Sequence, residues 1–157
     1  VAPGQEGEIC TRGPELFMGY FAPSLNDGAF LPGGWYRTGD IGRVDEDGYL
    51  LITDRKKDII IRGGENISSK EVEALLLAHP RIVDAAAVAA PDDRMGELVR
   101  ACVVLAPGAR LSLDELREHF FAAGVAKQKT PERLSILSEL PRNASGKVLK
   151  HELRRIA

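Results

Sequence analysis

Five consecutive charged residues, Asp54–Asp58, divide this chain into two parts of different character. They stand between two apolar segments that are predicted as strands, Tyr49–Thr53 and Ile59–Ile61. Such a run is typical either of a solvated turn within one domain or of a boundary between two domains. The residue types before the charged run differ strongly from those after it.

The first part, residues 1–53, is rich in Gly, Pro and aromatic residues and shows no helical period. The turn dipeptides within Pro23–Gly34 predict a loop there. Asp47-Gly48 ends a polar turn between two apolar runs, which predicts a β-hairpin. Short strands are predicted at Glu8–Arg12, Leu16–Phe21, Ile41–Val44 and Tyr49–Thr53. This part is therefore predicted to be all-β.

The second part alternates predicted strands and helices. Ser68 with Glu71, and Ser112 with Glu115, form capping boxes that predict two helix N-termini. The first helix covers Ser69–Ala78, and the second follows Ser112 and ends at Gly124. Leu149, Leu153 and Ile156 predict a short C-terminal helix. Strands are predicted at Ile59–Ile61, Ile82–Ala90, Leu98–Leu105 and Leu134–Leu137. The order predicts a small α+β domain at residues 55–157.

Composition excludes several classes of function. Lys and Arg number 21 and Asp and Glu 23, so the net charge of −2 does not indicate a nucleic-acid partner. No apolar run reaches the ~18 residues of a membrane span. The cysteines and histidines lack metal-ligand spacing, so no metal site is predicted. Cys10 and Cys102 are expected to be reduced thiols in a cytoplasmic protein.

The chain begins with Val1 rather than Met, and its first eight residues resemble the middle of a domain. We therefore expect a fragment of a longer protein.

Three segments have residue types suited to chemistry. In Tyr36–Asp40, a carboxylate that follows a Gly turn either binds a ribose diol or caps its own turn. Gly63-Gly64 either lets the backbone approach a ligand or forms an ordinary connection from strand to helix. Pro141–Lys147 is predicted to be a flexible polar loop. Gly146-Lys147 resembles the end of a phosphate loop, but the first Gly and the following Ser/Thr of that motif are missing, so the lysine is interpreted as a solvated charge.

Taken together and in this order, the segments resemble the C-terminal third of adenylate-forming (AMP-binding) enzymes. This superfamily comprises acyl-CoA synthetases, peptide-synthetase adenylation domains and firefly luciferase. The matching stretches are Gly7-Glu8-Ile9 through Gly19-Tyr20, Tyr36–Asp40, Gly48–Glu73 and Pro141–Lys150. The resemblance implies that 1–53 is the β-rich end of a large N-terminal domain. It also implies that 55–157 is a mobile C-terminal domain, a three-stranded central sheet flanked by helices.

The resemblance also implies site residues for ATP. Asp40 would bind the ribose hydroxyls, Ile52 would line the adenine side, and Arg55 would contact ribose or phosphate. Asp54 would be the hinge between the two domains. Lys147 would be the catalytic lysine of adenylation.

A second set of implied site residues serves CoA. Gly63, Gly64 and Asn66 would lie on the loop that enters the site for thioester formation, beside the pantetheine tunnel. The magnesium ligands, the phosphate loop and the acyl pocket would lie outside this chain. The chain alone is therefore expected to be inactive, and its partner would be the rest of the N-terminal domain.

The loop Gly63–Ile67 resembles the fatty-acid and cyclic-acid CoA ligases, so the expected substrate is a medium-chain, long-chain or cyclic carboxylic acid. The chain ends 10 residues after Lys147, which favours a free-standing ligase. One alternative is an adenylation domain that serves a carrier protein. A second is a non-catalytic binding or regulatory module. The presence of Asp40, Arg55 and Lys147 argues against the second alternative.

Overall fold

The computed structural model describes residues 1–2 and 4–156. The chain forms two compact units, Val1–Lys57 and Asp58–Ala157. The assignment of Asp54 as the hinge between two domains stays a prediction. No helix of the described residues is long and apolar enough to cross a membrane.

Unit 1 is a four-stranded antiparallel sheet around one central strand. Its strands are β1 (Gly7–Thr11), β2 (Phe30–Leu31), β3 (Trp35–Val44) and β4 (Leu50–Arg55). β1 pairs along one side of β3, and β2 and β4 pair along the other. The predicted hairpin is present, with Val44 opposite Leu50 and the Asp45 carboxylate accepting from the backbone N–H groups of Asp47 and Tyr49.

The strand predicted at Leu16–Phe21 is absent from unit 1, and that prediction is wrong. Asn26 satisfies the backbone of Tyr20 instead: its Oδ1 accepts from the Tyr20 N–H at 2.7 Å, and its Nδ2 donates to the Tyr20 oxygen at 3.3 Å. Once a side chain takes both bonds, no neighbouring strand is needed. The predicted loop that follows contains a short 3₁₀ helix, Pro23–Leu25, as well as β2.

Unit 1 exposes apolar side chains that a complete domain would cover. Met18 and Phe21 are fully exposed, and Tyr49 is 70% exposed. Every buried apolar side chain of the core among the described residues belongs to unit 2. A sheet without a buried face has little hydrophobic stabilisation of its own.

Unit 2 is built on a five-stranded sheet. Its strands are β5 (Ile60–Arg62), β6 (Glu65–Ile67), β7 (Ile82–Asp92), β8 (Gly96–Leu105) and β9 (Arg133–Ile136). The long antiparallel pair β7–β8 and the parallel strand β9 form a three-stranded centre, as expected. The hairpin β5–β6 extends it to five strands. β5 corresponds to the strand predicted at Ile59–Ile61, whereas β6 was not predicted, because a three-residue strand is too short to show a period.

Helices cover both faces of this sheet. They are α1 (Ser69–Leu77), α2 (Leu113–Ala122) and α3 (Lys150–Leu153). α1 and α2 bury Val72, Leu76, Leu116 and Phe120 against one face, where Ala85 and Ala87 alternate inward. Ala86 and Val88 point to the other face, which Leu140 and Leu153 cover. This period-two alternation is that of a sheet buried on both sides. The α+β class is confirmed.

Both predicted serine N-caps start their helices, but the reciprocal capping box is shown only at α2. At α2 the box is complete, because the Ser112 hydroxyl accepts from the Glu115 N–H and the Glu115 carboxylate accepts from the Ser112 N–H. The pKa of Glu115 is lowered to about 2, first by the bond from the Ser112 N–H and then by the bonds from Arg81 and the Ser112 hydroxyl. At α1, Ser68 accepts from the Glu71 N–H, while the Glu71 carboxylate pairs with Lys129.

A histidine at the end of α1 makes the stability of unit 2 sensitive to pH. His79 is 6% exposed, and its ring lies 4.9 Å from that of His119. Burial lowers the pKa of His79, His119 and Arg81 lower it further, and Glu115 opposes them. A lowered histidine pKa means that the unfolded chain binds the proton more tightly. The contribution of neutral His79 to the free energy of unfolding is therefore fully present above the ordinary histidine pKa of about 6.5 and is lost as the pH falls.

We expect the free energy of unfolding to fall from pH 7 to pH 5, and to fall less in His79→Gln. Urea titrations followed by the helical circular dichroism signal measure this, since α1, α2 and α3 all lie in unit 2. Equal pH dependence in the two proteins would contradict the assignment.

Candidate active site

Asp40 and Arg55 face each other across β3 and β4 in unit 1. Arg55 Nε donates to Asp40 Oδ1 at 2.5 Å. The Asp40 N–H donates to the Thr38 hydroxyl, which itself donates to the Ile9 oxygen at 2.8 Å. Thr38 therefore links Ile9 of β1 to the backbone of β3 at Asp40. The Asp40 carboxylate remains 23% exposed, which leaves it accessible to hydroxyl donors.

A shallow positive cleft of about 330 Å³ lies beside this pair. Its lining residues are Thr38, Gly39, Arg55, Lys56 and Lys57. Lys56 also pairs with Glu8 at 2.9 Å, and the pKa of Glu8 is lowered chiefly by its hydrogen bond from Arg37. Three cations in one cleft form a surface that favours phosphate.

Ile52 and Asp54 lie on β4 on either side of a bulge. Gly42 pairs with Ile52 while Ile41 pairs with Asp54, so Thr53 is the extra residue. Ile52 is 57% exposed, an open apolar surface of the kind on which a flat ring can lie. Asp54 is 3% exposed, and its Oδ1 accepts from the Arg55 N–H at 2.6 Å.

Gly63 and Gly64 form the two-residue turn between β5 and β6. Their φ angles are 57° and 88°, the left-handed region that glycine adopts without strain. The segment is therefore a tight hairpin, and the interpretation as an ordinary connection from strand to helix is wrong. A Cβ on Gly63 would lie 2.6 Å from Met95 Cε, so the end of the Met95 side chain would have to move. Asn66 is exposed on β6, opposite Ile61.

A larger cleft of about 670 Å³ lies beside this hairpin in unit 2. It is lined by Arg62, Arg117, Phe121, Val125, Lys127, Thr130, Pro131 and Glu132. Phe121 is 86% exposed. Cations together with an exposed ring offer both phosphate and base contacts.

Lys147 lies at the end of a hydrogen-bonded turn. Asn143 Oδ1 accepts from the N–H groups of Lys147 and Ser145, at 2.8 and 3.1 Å, and from the Ser145 hydroxyl. Arg142 donates to the Gly146 oxygen and pairs with Asp84 of β7, both at 2.7 Å. One amide oxygen therefore accepts three bonds within four residues, while the flexibility of the loop stays a prediction.

The segments on both sides of this turn are anchored in unit 2. Leu140 before it and Leu153 after it are buried on the same face of the sheet. Lys150 Nζ donates to the Ser69 hydroxyl and pairs with Glu73, each at 2.7 Å. The Lys147 side chain itself is exposed, so the turn presents an ammonium to solvent from a fixed base.

Residues 71–147 match the family described as AMP-binding enzyme C-terminal domain. The medium-chain fatty-acid–CoA ligase of Escherichia coli (strain K12) is 54% identical over 157 residues, which are 99% of this chain and 28% of that protein. The salicylyl-CoA synthase / salicylate adenylyltransferase of a Streptomyces species is 46% identical, over 98% of this chain and 28% of that protein.

The crystal structure of ATP-bound MatB from Rhodopseudomonas palustris superposes with a TM-score of 0.90 at 35% identity. The superposed region covers 98% of this chain and 31% of the MatB chain. Residues 71–147 of this chain belong to the AMP-binding enzyme C-terminal domain family. The chain shares the fold of the matching part of MatB. It spans less than a third of the length of MatB and of the Escherichia coli ligase.

Two features of this chain were not predicted from its sequence. Lys56 and Lys57 join Arg55 in the first cleft, although their charge run indicated only a turn or a boundary. Arg117 and Lys127 reach the second cleft from segments distant from the Gly63–Gly64 turn. Seven of the eight lining residues lie within 117–132, and the fold of unit 2 brings the eighth, Arg62, to them.

The described residues contain no group of three or more His, Cys, Asp or Glu side chains placed to hold a metal ion. No step is therefore assigned to magnesium in this chain.

Proposed function

We propose that this chain is part of an ATP-dependent acid–CoA ligase. In the first half-reaction a carboxylate oxygen attacks the α-phosphorus of ATP, which forms acyl-AMP and releases pyrophosphate. In the second, the sulfur of CoA attacks the acyl carbon and AMP leaves. The acid is a medium-chain, long-chain or cyclic carboxylic acid, in line with the two ligase relatives.

One observation carries this proposal: unit 2 presents two hydrogen-bonded turns from separate parts of its sheet. The Lys147 turn is tied to β7 through Asp84, whereas the Gly63–Gly64 hairpin belongs to the opposite edge of the sheet. A unit of this kind can present one turn or the other to a common site when it rotates.

Lys147 supplies the cation for the first half-reaction. A carboxylate and a phosphate repel each other as they approach, and an ammonium between them can donate to both. At ~4 Å and an effective dielectric of ~20, one such contact contributes about 4 kcal/mol before desolvation. That energy corresponds to roughly a thousandfold in rate.

The Gly63–Gly64 hairpin serves the second half-reaction. Without side chains at its tip, it leaves space for a narrow pantetheine arm, with Asn66 beside it. The second cleft supplies Arg117 and Lys127 for the phosphates of CoA and Phe121 for its base.

Unit 1 binds the nucleotide through the pair on β3 and β4. Asp40 accepts from the ribose hydroxyls, Arg55 contacts ribose or phosphate, and Ile52 lies against adenine. Asp54 is the hinge, and the rest of a larger N-terminal domain covers the exposed apolar side chains of unit 1. Magnesium is held outside this chain. Both cysteines are free thiols, consistent with a reducing, cytoplasmic location.

The test uses the full-length protein that contains this chain. AMP release from ATP is followed with a panel of carboxylic acids, with and without CoA, and with chain 1–157 alone as a control. We expect AMP only when both an acid and CoA are present, and none from the chain alone. AMP release that needs no acid, or that is indifferent to CoA, would contradict the ligase and favour another acyl acceptor or a non-catalytic module.

A further inference from the structure

The hairpin β5–β6 is weakly attached to its sheet through the backbone. β6 is the terminal strand, and β5 pairs with β8 only through Arg62 opposite Gly96. One further backbone bond, from the Gly63 N–H to the Met95 oxygen, holds the turn at 2.8 Å. Three residue pairs join the two short strands to each other. A two-stranded ribbon of this length needs other contacts to keep one orientation.

Side chains supply those contacts, and the strongest comes from Arg62. Its Nε and Nη2 donate to the two oxygens of the Glu132 carboxylate at 2.8 and 2.6 Å. Two parallel charge-assisted bonds fix the plane of the guanidinium as well as its distance. Both side chains are largely shielded, at 21% and 26% exposure, so solvent screens this pair less than a surface pair.

Glu132 is itself fixed to the centre of the sheet. Its backbone N–H donates to the Val99 oxygen of β8 at 2.9 Å, and Pro131 before it is buried. The carboxylate is therefore a stationary point on the sheet, and Arg62 is the residue directly before Gly63. Weaker support comes from Glu97, which accepts from the Ile61 N–H, and from Gln128, which donates to Glu65.

We propose that Arg62 and Glu132 are positioning residues that hold the Gly63–Gly64 hairpin for thioester formation. The pair acts through the hairpin and not on the acid or ATP, so it affects the second half-reaction only. This inference rests on the proposed function, because it takes the hairpin to serve CoA.

A direct role for Arg62 in binding the phosphates of CoA predicts a different effect of Glu132→Gln. If Arg62 were simply a phosphate ligand in the second cleft, Glu132→Gln would release its charge and lower the KM for CoA. If the pair positions the hairpin, Glu132→Gln lowers the rate of thioester formation even at saturating CoA.

The experiment measures each half-reaction in the full-length enzyme. Acid-dependent exchange of pyrophosphate into ATP reports on adenylation, and single-turnover reaction of preformed acyl-AMP with saturating CoA reports on thioester formation. The variants are Arg62→Gln, Glu132→Gln and the double variant. Arg81→Gln is the matched control, because Arg81 pairs with Glu115 at 2.9 Å away from the hairpin.

We expect each single variant to slow thioester formation by about tenfold to a hundredfold, the loss that follows misplacement of a reacting group by up to ~1 Å. Adenylation should stay within about twofold, and the double variant should be no slower than the singles, as for residues that act as one unit. Arg81→Gln should change neither rate.

Equal losses in both half-reactions, no loss in either, or a lower KM for CoA without a slower reaction would each overturn the proposal. Amide hydrogen exchange adds a readout that is independent of turnover. Exchange at Gly63–Ile67 should be faster in Arg62→Gln than in Arg81→Gln. A wild-type enzyme without any CoA-dependent step would overturn the proposed function and, with it, the role of Arg62 and Glu132 in thioester formation. The exchange result would still decide whether the pair holds the hairpin.

Discussion

Lys147→Gln in the full-length protein is expected to slow acyl-AMP formation about a thousandfold, the loss of one ion contact of about 4 kcal/mol. Thioester formation from preformed acyl-AMP should be nearly unchanged, because the lysine is needed only while carboxylate and phosphate approach each other. Pyrophosphate exchange and single-turnover thioester formation measure the two rates.

The structure makes this substitution clean. Two hydrogen bonds hold the turn: the Lys147 backbone N–H donates to Asn143 Oδ1, and the Arg142 guanidinium donates to the Gly146 oxygen. Neither bond uses the lysine side chain. Glutamine therefore removes the charge and leaves the turn in place. Lys70→Gln is the matched control, since Lys70 is also exposed but lies on α1. Equal slowing of both half-reactions, or equal slowing in the control, would contradict the role of Lys147.

Asp54→Pro is expected to leave acyl-AMP formation intact and to slow thioester formation by about a hundredfold or more. Proline fixes φ near −65°, and forcing it through an incompatible conformation costs about 3 kcal/mol, which corresponds to about a hundredfold in rate. The φ angle of a hinge residue must change if unit 2 is to exchange the Lys147 turn for the Gly63–Gly64 hairpin.

Because Asp54 is buried within β4, opposite Ile41, this variant needs a control that separates the hinge from the fold. Asp54→Ala removes the carboxylate but keeps φ free, so it should slow thioester formation much less. Retained pyrophosphate exchange in Asp54→Pro would show that unit 1 is folded. Full thioester synthesis in Asp54→Pro, or equal losses in the two variants, would falsify the hinge.

Much of the fold could be predicted from local sequence. Each capping box places its hydroxyl and carboxylate three residues apart, so the start of α1 and α2 is determined within one turn. The hairpin β3–β4 is equally local, because Asp45 and Gly48 close it. The motifs around Asp40, Gly63 and Lys147 indicated the family in the same way, although their roles in this chain stay predictions.

Other local signals were present but not decisive. Leu16–Phe21 has strand composition, yet a single asparagine takes the backbone bonds of Tyr20. The hydrogen bonds of the Lys147 turn depend on Asn143, which is only four residues away, but a polar segment with Gly and Ser is also typical of a flexible loop.

The sequence by itself determined the α+β class, the capped helices and the segments that carry the candidate site. Only the tertiary structure decided how those segments are held. Arg62 and Glu132 are 70 residues apart, and Arg142 and Asp84 are 58 apart. Neither pair has a local spacing that would indicate it. Each forms because the sheet order brings distant strands and loops to the same edge, where partial burial favours a paired charge over a solvated one.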